Sequence, residues 1–187
     1  MPREQLTRKQ KELVKEIEEI YDHFNLDYYN IQSYERDGRT PYLEAARNKV
    51  VRGQVVIWYT LVDEFLTNAI SRYYFGNTRS FPELWRRKKF KNFQYYIIEE
   101  LHLMQKLRHV KAIQKVPKAV TADIERLNSL RNGLAHAFFP ENLRKSIPKW
   151  KGESIFSLKG LKLLQQDFGK IVDYFWGLKG VTESGKQ

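Results

Sequence analysis

The chain has 187 residues, of which 42% are hydrophobic and 14% aromatic, and it contains no cysteine. This composition can build the core of one domain and excludes a disordered chain, while the missing cysteines exclude disulfides and thiolate metal sites. Lys and Arg outnumber Asp and Glu by 33 to 22, so the formal net charge is +11. That excess favours binding to a polyanion such as nucleic acid, although it can also serve only to prevent aggregation.

Targeting and membrane signals do not stand out in this sequence. The first twenty residues are charged throughout, and the longest apolar run, Val55 to Leu66, contains Asp63 and Glu64. A signal peptide or a transmembrane helix needs a longer uninterrupted apolar stretch. We therefore expect a cytoplasmic protein that makes no membrane contact.

Helical periodicity dominates the chain from one end to the other. Apolar residues at spacings of three and four predict helices over residues 7–29, 42–74, 80–107, about 119–138 and 158–178. Residues 106–117 indicate a helix end with a basic loop, and residues 141–157 are expected to be irregular with a short extended piece near 154–156. The sequence thus predicts an all-α fold, a single bundle of about five helices over residues 1–179 with a flexible polar tail at 180–187.

Two of these helices have well-defined predicted core faces. On the 42–74 helix the predicted buried residues are Val51, Val55, Trp58, Val62, Phe65 and Ala69. In the C-terminal half of the 80–107 helix they are Phe93, Ile97, Leu101, Met104 and Leu107. Both sets follow the helical period of about 3.6 residues.

The most informative stretch is residues 127–138, LNSLRNGLAHAF. Its leucines form the apolar stripe, and at about 100° per residue Asn132 and His136 share a face that points away from it. Arg131 lies closer to the stripe, and its long stem can carry the guanidinium to the edge. Gly133 and Ala135 keep the surroundings small enough for another helix or a nucleic-acid backbone to approach.

These residue types suit the cleavage of a phosphodiester bond. Histidine can exchange a proton with a ribose 2′-hydroxyl or with the leaving oxygen near neutral pH. Arginine can hold the phosphate through two hydrogen bonds and stabilise charge in the transition state, and asparagine can orient either partner. Arg131, Asn132 and His136 are therefore candidate catalytic residues for a reaction that needs no metal or cofactor.

Arg131, Asn132 and His136 together resemble the signature of HEPN domains, in which four to six residues separate an arginine, commonly followed by a polar residue, from a histidine. The resemblance covers residues 42–178, and the motif lies on the penultimate helix, as in that family. It implies an α-helical bundle with metal-independent ribonuclease activity. It also implies a homodimer in which the motifs of two subunits form one cleft.

Other features of the resemblance are less direct. Glu64, in the stretch 61–66, is similar to an acidic residue that HEPN proteins often carry on an earlier core helix, but it fits equally well as a solvated acid on a helix edge. HEPN toxins that are silenced by AMP transfer have a tyrosine two residues after the histidine, where this chain has Phe138. The resemblance thus implies a microbial toxin or phage-defence protein, with an antitoxin or regulatory partner protein, from a branch without that modification.

Two basic clusters are candidate contacts for an RNA substrate. The denser one combines five cations with flanking aromatic residues, namely Trp85, Arg86, Arg87, Lys88, Lys89, Phe90 and Lys91. Aromatic rings can stack on bases while cations meet phosphates, but a solvated helix face with two buried aromatics explains the run nearly as well. The second cluster contains Arg144, Lys145, Lys149, Trp150 and Lys151, and the same two explanations apply to it.

Two alternative functions remain open at this stage. One is a HEPN module without catalytic activity that binds RNA, a nucleotide or a partner protein. The other is a basic helical DNA-binding protein, although no helix-turn-helix pattern is evident. Glu99 and His102 have the spacing of half a di-iron site, but no second pair completes it, so we predict no metal.

Overall fold

The computed structural model describes the backbone of residues 40–76, 80–135 and 148–181, and the side chains of residues 47–76, 80–135 and 148–177. The chain divides into two compact units, residues 1–46 and 47–187, and every described side chain belongs to the second. The predicted helix at 7–29 lies outside the described residues. The single domain over 1–179 stays a prediction, as does the flexible tail.

A long helix, α1, runs from Thr40 to Phe75. It ends as the sequence predicts, because Gly76 adopts a positive φ of 81° that terminates the helix. Val51, Val55, Trp58 and Val62 are buried as predicted. Further along, Leu66 and Ile70 are buried instead, while Phe65 and Ala69 pack against the core only in part.

The predicted single helix at 80–107 is wrong. The structure has two short helices, α2 (Phe81–Trp85) and α3 (Lys88–Phe93), then a π-helix (Gln94–Ile98) and a separate helix α4 (Leu103–Ile113). The wider π turn shifts the buried face, so that Ile98 is buried where Ile97 was predicted and Ile97 is exposed. The predicted loop at 106–117 is also too long, because α4 continues to Ile113 and buries Val110.

The remaining elements agree more closely with the sequence. Helix α5 runs from Lys118 to Ala135, and helix α6 from Leu158 to Val181. Between them, β1 (Lys149–Trp150) and β2 (Glu153–Ser154) pair antiparallel, with Trp150 opposite Glu153. Lys151 and Gly152 both have positive φ values, as a tight hairpin turn requires. The described residues thus confirm the predicted all-α fold, with this hairpin as an addition.

The helices α1, α4, α5 and α6 and the hairpin share one apolar core. It is built largely from aliphatic residues, with Trp58 of α1 stacked on Phe168 of α6 at 5.2 Å between ring centroids. An ion pair joins two of these helices, between Lys106 Nζ of α4 and Asp63 Oδ2 of α1 at 2.6 Å. Within the described part of the chain, no helix has a stretch long and apolar enough to cross a membrane.

The hairpin is fixed to α6 by a buried carboxylate. Asp167 accepts hydrogen bonds from Trp150 Nε1 at 2.8 Å and from Lys170 Nζ at 2.8 Å, and it pairs with Lys151 Nζ at 2.5 Å. Close packing helps as well, since a Cβ atom at Gly160 would overlap the carbonyl oxygen of Ser154. Burial raises the pKa of Asp167, but the hydrogen bonds from Lys151, Lys170 and Trp150 outweigh it, and the pKa falls from 3.8 to about 2.

Asp167→Asn is expected to lower the free energy of unfolding at pH 7 by about 2 kcal/mol, because the folded pKa lies below the unfolded one. This contribution is fully present above about pH 4 and is lost as the pH falls towards 2. Urea unfolding of both proteins from pH 7 down to pH 3 measures the difference. Asp173→Asn, at an exposed acid on the same helix, should show little effect. A loss that does not change with pH would contradict the role of the Asp167 charge.

Candidate active site

The motif helix α5 buries the face that the sequence predicts. Leu127, Leu130 and Leu134 are buried, whereas Arg131 and Asn132 are exposed. Asn132 therefore points away from the core as expected, and the long stem of Arg131 does carry its guanidinium to the surface. The described part of the helix ends at Ala135, so His136 lies outside the described residues, as does Phe138.

The Arg131 guanidinium is oriented by two neighbours. Its Nη1 donates a hydrogen bond to Asn132 Oδ1 at 3.2 Å, and its Cζ lies 5.2 Å from the centroid of the Tyr59 ring on α1. Stacking on an aromatic face suits the planar guanidinium and leaves its N–H edge accessible. Among the described residues, no carboxylate pairs with Arg131. No described carboxylate therefore neutralises its charge, as a phosphate-binding arginine requires.

Tyr59 is a half-buried residue between Arg131 and Asp63. Burial raises the pKa of its phenol; the charge of Arg131 lowers it in part and that of Asp63 raises it. The phenol consequently stays protonated near neutral pH, so it can donate a hydrogen bond and does not act as a base. Its clearest role in the structure is to provide the ring face on which Arg131 lies.

Arg52 holds the C-terminal end of the motif helix. Its Nη1 donates to the backbone carbonyl of Leu134. The last four carbonyls of a helix lack intrahelical partners, and a cation there also interacts favourably with the helix dipole. Since His136 follows Ala135 directly in the sequence, Arg52 anchors the backbone immediately before the candidate catalytic histidine.

Glu64 does not lie on the side of α1 that contacts Arg131. At about 100° per residue, Glu64 lies about 140° around the helix from Tyr59, whereas Asp63 lies on the same side as Tyr59. Asp63 is paired with Lys106, and the exposed Glu64 has no ion pair or hydrogen bond within the described ranges. A catalytic role for Glu64 stays a prediction.

The first basic cluster is solvent-exposed, as nucleic-acid binding requires. Arg86 caps the end of α2, Arg87 caps the start of α3, and all five cations of the cluster, including Lys88, Lys89 and Lys91, are exposed. The two flanking aromatics differ, because Phe90 is fully buried while Trp85 remains 37% exposed. The explanation by two buried aromatics therefore holds for Phe90 alone.

The members of the second basic cluster differ in what the structure shows of them. Arg144 and Lys145 lie outside the described residues. Trp150 is buried and bonded to Asp167, and Lys151 pairs with the same carboxylate, so both stabilise the hairpin. Stacking of Trp150 on a base is excluded by its burial. Only Lys149 of the described members is exposed without a structural role of this kind.

A shallow groove of about 510 Å³ lies on the other side of the motif helix, between residues 122–133 of α5 and Pro148–Lys149. Gly133 lines it, and a Cβ atom added there would meet no atom within 4 Å. The surface around Gly133 is therefore open to the approach of another molecule. Arg131 does not line this groove, so the groove is separate from the candidate phosphate site.

No cluster of three or more potential metal ligands occurs among the described residues. His102 is the N-cap of α4, where its backbone N–H donates to Gln105 Oε1 at 2.8 Å. The prediction that no metal binds there stays a prediction.

Sequence reasoning missed two residues of the site, Tyr59 and Arg52. Both lie on the same side of α1 as the buried Val55. An arginine and a tyrosine on an otherwise apolar helix face could have indicated a role outside the core. In the sequence, however, Tyr59 is indistinguishable from a core aromatic residue. Its contact with Arg131 depends on how α1 packs against α5.

Comparisons of this chain with protein-family models, with curated proteins and with solved structures find no match.

Proposed function

We propose that this protein is a metal-independent endoribonuclease of the HEPN type. The observation that carries the proposal is the pairing of Arg131 with Asn132 at the exposed end of α5, with the guanidinium stacked on Tyr59 and unpaired with any described carboxylate. This arrangement offers a phosphate an oriented cation five residues before His136 in the sequence. The basic surface of the protein adds long-range attraction for RNA.

In the proposed mechanism His136 removes the proton from a ribose 2′-hydroxyl, whose oxygen attacks the adjacent phosphorus. The bond from phosphorus to the 5′-oxygen breaks, and that oxygen takes up a proton. The products are a 2′,3′-cyclic phosphate, or the 3′-phosphate after its hydrolysis, and a 5′-hydroxyl. Arg131 binds the phosphate and stabilises its growing negative charge, and Asn132 orients the guanidinium.

The proposal includes a homodimer with a composite cleft. The exposed residues Val50, Ile57 and Leu61 form an apolar stripe along α1, with Gly53 between them. Such a stripe supports association, since large contiguous apolar surfaces on soluble proteins commonly mark interaction sites. A cellular role as a toxin or phage-defence protein, together with an antitoxin or regulatory partner, is part of the same proposal and rests on the family resemblance alone.

The test is incubation of the purified protein with total RNA in the presence of EDTA, with DNA of matched sequence alongside. We expect RNA to be cut to fragments with 5′-hydroxyl and cyclic phosphate ends, and DNA to stay intact because it lacks the attacking 2′-hydroxyl. The activity should follow the protein peak in gel filtration, at the mass of a dimer. Equal cleavage of DNA would exclude this mechanism, and RNA that is bound but left intact would favour the non-catalytic binding module.

A further inference from the structure

An aromatic surface lies beside the first basic cluster, at the C-terminal end of α1. Ring contacts at centroid distances between 5.1 and 5.8 Å connect its members into one continuous network. The exposed members are Tyr73, Tyr74, Trp85 and Tyr95, and Phe75, Phe90 and Phe93 lie beneath them. We call the exposed rings, together with the neighbouring Tyr96, the aromatic platform.

Trp85 and Tyr95 of the platform are supported from beneath by a buried ring and its neighbours. Phe90 is fully buried and contacts Trp85 edge-on at 5.4 Å, and Trp85 in turn contacts Tyr95 at 5.8 Å. Beneath Tyr95, the buried Gln94 donates a hydrogen bond to Ser71 Oγ of α1 at 2.7 Å. Surface rings that are held in place in this way lose little conformational entropy when a ligand stacks on them.

The π-helix turns consecutive apolar side chains towards solvent. Gln94 and Ile98 are buried at its two ends, while Tyr95, Tyr96 and Ile97 are 51%, 76% and 50% exposed. A π-helix is rare and is frequently found at functional sites. Exposing three consecutive large apolar side chains loses the stabilisation that their burial would give. The arrangement therefore indicates that a binding partner covers them.

The charge of this region identifies the chemistry of that partner. Residues 80–100 carry five cations, Arg86, Arg87, Lys88, Lys89 and Lys91, against the three acids Glu83, Glu99 and Glu100. The Glu83 carboxylate accepts hydrogen bonds from the Ser80 backbone N–H at 2.9 Å and from its hydroxyl at 3.0 Å. The surface therefore presents exposed rings beside a local excess of positive charge, which is the combination that binds unpaired nucleotides.

We infer that the aromatic platform and the first basic cluster bind single-stranded RNA, with bases stacked on Tyr95 and Tyr96 and phosphates on the adjacent lysines and arginines. The inference deepens the proposed function, on which it rests, by naming unpaired RNA as the substrate. Tyr74 is fifteen residues beyond Tyr59 on α1, so the platform lies on the order of 20 Å from Arg131 along the helix axis. A strand of several nucleotides, the usual site size of such surfaces, spans that distance.

The test measures binding of a 2′-O-methyl RNA oligonucleotide, which the proposed mechanism cannot cleave, as a single strand and as a duplex with its complement. We expect the single strand to bind at least tenfold more tightly than the duplex. The Tyr95→Leu/Tyr96→Leu variant keeps apolar side chains but removes both ring faces. It should weaken single-strand binding on the order of tenfold for each stacked base and leave duplex binding unchanged.

Two further variants separate stacking from charge. Lys88→Gln/Lys89→Gln should weaken the binding of both single-stranded and duplex RNA. It should also reduce the slope of log affinity against log salt concentration for the single strand by about one unit. Lys115→Gln/Lys118→Gln removes two exposed lysines elsewhere and should leave the preference for the single strand intact. Circular dichroism and thermal unfolding establish that each variant is folded.

The outcomes distinguish this inference from the proposed function. If the tyrosine variant binds the single strand like the wild type, or if single strand and duplex bind equally, the platform is not a stacking surface for RNA. Tighter binding of polyglutamate than of RNA would also overturn the inference, in favour of an acidic protein partner. Because the probe cannot be cut, platform binding is measurable even if no ribonuclease activity exists.

Discussion

Replacing His136 with alanine is expected to reduce RNA cleavage by about 100- to 10,000-fold, the contribution typical of a positioned general acid–base group. RNA binding should be unchanged, because the proposal assigns phosphate binding to Arg131 and the basic clusters. The measurement is single-turnover cleavage of a labelled RNA in EDTA, with the affinity of the same RNA determined separately. A fall in the cleavage rate at constant affinity identifies His136 as part of the chemistry.

The matched control is His109→Ala, because His109 is exposed on α4 and belongs to no site described above. It should cleave RNA at the wild-type rate. Equal cleavage by wild type and His136→Ala would exclude His136 as the acid–base group and would indicate a contaminating nuclease or a different site.

The fold could be predicted where helices are long and their apolar periodicity is uniform. α1 and α6 were predicted to within a few residues, because each has one continuous buried stripe, and α1 also ends directly before Gly76. The segment 80–107 was predicted wrongly, because its apolar spacing suggests one helix. The interruptions at Arg87 and residues 99–102 depend on the packing of Phe90, Ile98 and Leu103 against other elements. Such tertiary preferences override local periodicity.

Some residues of the candidate site could likewise be predicted from the sequence, and others could not. Arg131 and Asn132 were found from their residue types and spacing, and their exposure follows from the leucine stripe of their own helix. Tyr59 and Arg52 could not be found, because their roles consist of contacts with Arg131 and with a backbone carbonyl more than seventy residues away in the sequence. Sequence reasoning therefore identified the residues that carry the proposed chemistry but not the residues that position them.

Replacing Arg131 with alanine is the second experiment with a large expected effect. If the guanidinium stabilises charge that develops on the phosphate, its loss should reduce the cleavage rate by about 100- to 1,000-fold. KM should change much less than kcat, because an interaction formed mainly in the transition state contributes little to substrate binding. Steady-state kinetics on a short RNA measures both constants. Arg108→Ala, at an exposed arginine of α4, is the control and should behave as wild type.

Arg131→Lys and two variants of Tyr59 test why an arginine is needed at this position. Lysine keeps the charge but lacks the planar fork that lies on the Tyr59 ring, so its activity should fall between those of wild type and Arg131→Ala. Tyr59→Phe retains the ring face and should remain active, since the phenol has no proposed role as a base. Tyr59→Ala removes that face and should reduce kcat towards the level of Arg131→Lys. If Tyr59→Phe is as impaired as Tyr59→Ala, the hydroxyl takes part directly, and orientation of Arg131 by stacking is not the explanation.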